Sequence, residues 1–140
     1  MEEQYISHKQ WLKRAKSNLA RARSGKLSDD ILWEDLCFDT QQAVEKALKA
    51  LLSALQIEFP RTHSIGLLLD ILNDAGIEIP QNINYARKLT YYAVETRYLM
   101  PEELLSPVNE IEFNEALAIA EEVYIWVEKI IQKIENEKKQ

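Results

Sequence analysis

Two short stretches hold the side chains able to handle a phosphate or a proton. The first is Arg61-Thr62-His63-Ser64. Of the two histidines, His8 sits close to the start of the chain, which leaves His63 as the imidazole for acid or base work near neutral pH. Thr62 or Ser64 can cap a following helix, and helix N-termini present N–H donors and positive potential to phosphate. The same residues also meet a plainer need, a helix cap beside an ordinary loop histidine. The second stretch holds Tyr91, Tyr92, Arg97 and Tyr98. An arginine fork grips phosphate through paired hydrogen bonds, and tyrosine rings stack on bases. A structural role competes here too: Tyr92 falls on the core side by periodicity, and Arg97 can pair with a carboxylate or close a helix C-terminus. The chain has no Gly-rich phosphate loop, no metal-binding Glu-x-x-His pair and no nucleophile elbow. Neither a metal nor a cofactor is expected.

These groups must be positioned by a small scaffold. At 140 residues, 46% hydrophobic with three glycines and four prolines, the chain has the apolar material for one core and excludes disorder and collagen-like repeats. No apolar run approaches the roughly 20 residues that cross a bilayer, and the first residues do not resemble a secretory signal, so the expected location is the cytoplasm. Cys37 is the only cysteine, which forbids a disulfide within the chain. The net charge of −6 argues against indiscriminate nucleic-acid binding. Residues 1–26, however, carry seven basic side chains against Glu2 and Glu3, a local +5 that leaves −11 for the remainder. A polyanion is expected to favour the first segment.

Five windows show helical periodicity and none alternates as a half-buried strand does, so the fold class is all-α. The first, about 3–24, aligns Trp11, Leu12, Ala15, Leu19 and Ala22, with Lys9, Lys13, Lys16 and Arg23 beside that face and Gly25 as a stop. The second opens at Ser28-Asp29-Asp30 and runs to about Gln56 on a stripe of Val44, Ala47, Leu48, Leu51, Leu52 and Leu55, with Glu45 and Lys49 four apart in the favourable order. The third, about 64–75, is a short leucine-rich connector ended by Gly76. The fourth, about 81–96, aligns Tyr85, Leu89, Tyr92 and Ala93. The fifth starts near Ile111 and repeats Phe113, Leu117, Ala120, Tyr124, Val127, Ile131 and Ile134 at four-three spacing, a bundle seam. Together they predict an up-and-down four-helix bundle with one additional short helix, a single domain over 1–140 with a frayed tail at about 135–140.

The run Gln41-Gln42-Ala43-Val44-Glu45-Lys46-Ala47-Leu48-Lys49-Ala50-Leu51-Leu52, then Thr62-His63-Ser64-Ile65, then Arg97-Tyr98 resembles the HEPN domain in order and spacing. The likeness reaches Trp11 and Ala15 and the closing helix. It implies a helical bundle, typically a homodimer, often encoded beside a minimal nucleotidyltransferase in two-component modules of the toxin–antitoxin kind, with roles in binding nucleotides and RNA or in metal-free RNA cleavage. The family's ribonucleases carry an arginine and, after four to six residues, a histidine. Here Arg97 is followed by Tyr98-Leu99-Met100-Pro101-Glu102-Glu103-Leu104, and no histidine occurs later. Without that general base, a factor of about 10² to 10⁴ in rate is lost. The expected function is therefore a non-catalytic nucleotide- or RNA-binding HEPN subunit working with a nucleotidyltransferase, its ligand held by Arg61, His63, Arg97 and Tyr98. The alternative is a metal-independent ribonuclease toxin using His63 and Arg97 in a displaced arrangement. Tyr98 is a conceivable acceptor of nucleotides from such a partner.

Overall fold

The structure, a computed structural model, describes residues 6–93, 97–104 and 107–139. The described residues are helical or irregular and contain no strand, as the periodicity requires. Helix α1 spans His8–Ser24. Ser7 sets its start: the hydroxyl accepts from the Gln10 amide while the Gln10 side chain accepts from the Ser7 amide, a capping box. The helix starts later than the expected residue 3, since Ser7 is extended at ψ 156°, and residues 1–5 lie outside the described residues. Gly25, at φ +70°, ends the helix where a side chain would be strained.

Helix α2, Trp33–Ala54, begins later than the Ser28-Asp29-Asp30 signal predicts. The Ser28 hydroxyl accepts from the Asp30 amide and its carbonyl from Ile31, so these residues close a turn before the helix instead of capping it. At the far end Gln56 adopts φ 60°, with Ile57 N–H donating to Leu52 O at 2.9 Å and Gln56 N–H to Ser53 O at 3.1 Å. That pair of bonds is a Schellman closure on a residue other than glycine. Helix α3, Ile65–Asp74, is capped by Ser64 and closed by Gly76 at φ +95°, as expected.

The fourth leg keeps its place but not the regularity of the predicted helix over 81–96. It is a single α-turn, α4 (Gln81–Asn84), followed by a 3-10 helix over Tyr85–Tyr92, and the backbone turns extended at Ala93. Tyr85, Thr90, Tyr91 and Tyr92 lose rotamer freedom in an α-helix, and tertiary bonds favour the tighter winding. The Thr90 hydroxyl accepts from the Ile65 amide at 3.1 Å, and Arg87 reaches Gly66 O and Asp70 on α3. Residues 94–96, the end of the predicted helix, lie outside the described residues.

Helix α5, Glu110–Lys138, is capped by Asn109, whose side chain accepts from the Glu112 amide. It buries Phe113, Ala116, Ala120, Val123, Val127 and Ile131, while Leu117, Tyr124 and Ile134 pack at the core's edge. The helix carries on through the expected tail to Lys138, with Glu135 meeting His8 at 3.0 Å. Helix α2 lies at the centre and touches α1, α3, the 3-10 leg and α5. Its leucines and alanines pack against those neighbours on nearly every side, and this matters for the site because α2 also buries Asp39, Thr40, Gln41, Glu45 and Lys49. Polar groups taken from water must find partners there.

Candidate phosphate-binding site

The partners of Glu45 build a site. Its carboxylate, on a side chain 3% exposed, receives Lys49 Nζ at 3.2 Å and Gln42 Nε2 at 2.8 Å, and meets His63 Nδ1 at 2.9 Å. Gln42 Nε2 also donates to Gln41 Oε1 at 2.7 Å, and Gln41 Nε2 donates to the His63 carbonyl at 3.3 Å. The Arg61–Ser64 loop is thus fastened to α2 twice, once through its imidazole and once through its backbone. Ser64 caps α3 and Thr62 Oγ1 accepts from the Ser64 amide, so both hydroxyls are spent on local structure. His63 is held by the loop and by Glu45 together, with its side chain 44% exposed.

Beside it opens a cleft of about 260 Å³ between α1, α2 and this loop, lined by Trp11, Arg14, Gln42, Glu45, Lys46, Lys49, Arg61 and His63 along with Ile6. Four cationic side chains face one carboxylate there. Lys46 donates to Asn18 Oδ1 at 2.8 Å, and Asn18 in turn donates to the buried Asp39 at 3.0 Å. Burial holds the Lys46 ammonium below its ordinary pKa, with Glu45 opposing that shift. Lys49 Nζ sits 5.3 Å from the centre of the Trp11 ring, a cation–π contact. Trp11 is buried and its indole N–H has no acceptor among the described residues.

Arg97 and Tyr98 occupy another place. Arg97 Nη2 pairs with Glu34 at 3.2 Å, and its guanidinium lies 5.3 Å over the Tyr91 ring, which stacks on Tyr92. Tyr98 is 86% exposed. A cleft of about 500 Å³ there is lined by Glu34, Asp35, Phe38, Tyr92, Arg97 and Tyr98, one cation against two carboxylates. The two anchors on α2, Glu34 and Glu45, are eleven residues apart, about 16 Å along the axis. The structure therefore brings Arg61 to His63 and Arg97 to Tyr98, but it does not bring His63 to Arg97.

Several members of the cationic cleft escape reasoning from sequence. Glu45 and Lys49 form the expected pair four apart, and both are buried. Trp11, expected on the core face of α1, also lines the cleft, and Arg14 and Lys46 join it there. One signal was available: Gln42, Glu45 and Lys49 recur at three and four residues on a helix whose other positions are mostly apolar, a polar stripe that must meet something.

Comparison with known proteins places this arrangement in context. The family model of the HEPN domain matches residues 8–130. The crystal structure of ST0689, an archaeal HEPN homologue, is similar with a TM-score of 0.72 and 30% identity, over 90% of this chain and 98% of that one. That of TT1696 from Thermus thermophilus gives 0.69 and 32% identity, over 87% and 96%. No curated protein matches the sequence. A domain model that spans most of the chain and a homologue that shares its fold agree: the chain belongs to the HEPN domain family.

Proposed function

We propose that this HEPN protein is a nucleotide- or RNA-binding subunit that takes phosphate in the cleft between α1, α2 and the Arg61–Ser64 loop without cleaving it. The observation that carries the reading is the gathering of Arg14, Lys46, Lys49 and Arg61 beside His63 in a chain of net charge −6. Cations so concentrated give a polyanion one place to bind and leave the acidic remainder to repel it. The preference for binding over turnover rests on the separation of His63 from Arg97. Metal-free cleavage needs a proton acceptor and a charge-stabilising group on the same phosphate. Within one chain their partners Glu45 and Glu34 stand about 16 Å apart along α2, which sets the two groups on different phosphates.

The family supports a nucleotide- or RNA-related role. Within that role the proposal includes a minimal nucleotidyltransferase partner, a toxin–antitoxin-like pairing, a homodimer and the cytoplasm. Exposed Tyr98, Leu99, Met100, Leu104 and Ile111 offer apolar surface to a second subunit. No helix among the described residues is long and apolar enough to cross a membrane. Binding of a labelled single-stranded RNA, followed by fluorescence anisotropy, tests the proposal. Arg61→Ala should weaken it about tenfold, the loss of one good charged contact, and Arg97→Ala should leave it within about twofold. The reverse ranking would move the site to the second cleft.

A further inference from the structure

We infer that the cationic cleft selects a terminal phosphate monoester over an internal phosphodiester, so that its ligand is the phosphorylated end of an RNA or a nucleoside monophosphate. This rests on the reading of the cleft as the phosphate site and goes on to name the form of phosphate.

Charge is the first argument. Lys49 contacts Glu45 directly and offsets that carboxylate, which leaves Arg14, Lys46 and Arg61 as the cleft's surplus. A phosphodiester brings one negative charge per phosphate. A monoester, with a second pKa near 6, brings about −1.5 to −2 at neutral pH. The dianion matches a threefold cationic surplus better than a single charge does.

Size is the second. Ligand pockets that enclose a drug-sized molecule run to about 300–1,000 Å³. At about 260 Å³ this cleft takes a phosphate and part of a sugar, with the base left outside. The cleft is partly open to solvent, and an end group can enter it with the rest of the ligand outside. The third argument is preparation: Gln41 and Glu45 hold the His63 segment in place before a ligand arrives, so little ordering is required on binding. A buried indole N–H, that of Trp11, lies in the cleft's lining residues without an acceptor among the described residues. The cleft at Arg97 differs in charge, since Glu34 and Asp35 outnumber its single cation, although Arg97 Nη1 is likewise buried without an acceptor among the described residues.

The test is competition anisotropy on the whole protein with one short RNA made in 5′-phosphate and 5′-hydroxyl forms, and with AMP against adenosine. The phosphorylated RNA should bind about tenfold tighter. Arg61→Gln and Arg14→Gln, both exposed and so safe for folding, should shrink the difference, and Arg97→Gln should preserve it. Competition by AMP and not adenosine would identify a free nucleotide as sufficient. Discrimination seen only with RNA would identify the RNA end, and either result supports the inference. Equal binding of both RNAs, weakened alike by Arg61→Gln, would overturn terminal-phosphate selection and leave the cleft as a phosphate site. Binding of neither RNA nor AMP would overturn both readings, and a preference indifferent to Arg61→Gln and Arg14→Gln would overturn the location.

Discussion

Glu45 is the residue on which the cleft depends. A carboxylate buried among hydrocarbon is tolerated only because Lys49, Gln42 and His63 surround it, and the same bonds fix the imidazole. Glu45→Ala leaves Lys49 buried without this carboxylate and should cost about 3 kcal/mol in urea unfolding, well beyond an ordinary surface change. An effect under about 0.5 kcal/mol would show that the pair is not buried in solution. Cys37 gives a second prediction at this scale. Burial, and then the charge of Glu112, push its thiol from 9.0 up to about 12. The folded protein keeps this proton while the unfolded chain releases it, so the group's stabilisation is complete below pH 9 and declines as pH rises towards 12. Native protein should accordingly resist iodoacetamide at about pH 8 and react once unfolded. His63 was legible because the chain has two histidines and His8 lies near its start, and Arg61 because it stands two residues before that imidazole. Arg14 and Lys46 were not, since nothing local distinguishes a lysine facing a cleft from one facing solvent.

At the scale of elements, the boundaries carried by a single decisive residue were readable: Gly25, Ser64 and Gly76 end or begin helices as their types suggest. Boundaries set by tertiary contact were not. The Ser28 hydroxyl is spent on a turn, and the fourth leg winds as a 3-10 helix because Thr90 and Arg87 bond to α3, partners that periodicity does not reveal. Gln56 closes α2 at φ 60°, a conformation costing an L-residue about 1–2 kcal/mol. Gln56→Gly should therefore stabilise the fold by about 0.5–1 kcal/mol, after glycine's greater unfolded freedom is deducted, and raise the midpoint of thermal unfolding. A lowered midpoint would mean that the Gln56 side chain contributes more than its backbone costs. Ser64→Ala removes the cap of α3 beside the His63 loop and should cost about 1 kcal/mol by the same measurement.

For the whole molecule, an all-α bundle was legible because amphipathic windows of period 3.6 leave few alternatives, and the family followed from the α2 run, the Thr-His turn and Arg97-Tyr98 in sequence. What the linear chain conceals is distance. Arg61, His63, Arg97 and Tyr98 look like one constellation when read in order, yet α2 separates them into a basic cleft and an acidic, aromatic one. That partition favours binding over catalysis. It also makes one assay the most direct test: a labelled RNA pool incubated in EDTA with wild type, His63→Ala and Arg97→Ala protein, with bound and cleaved fractions counted together. The account predicts bound, intact RNA with wild type and with Arg97→Ala, and weakened binding with His63→Ala. Cleavage by wild type that both substitutions abolish would contradict it, because His63 and Arg97 would then have to act on the same phosphate.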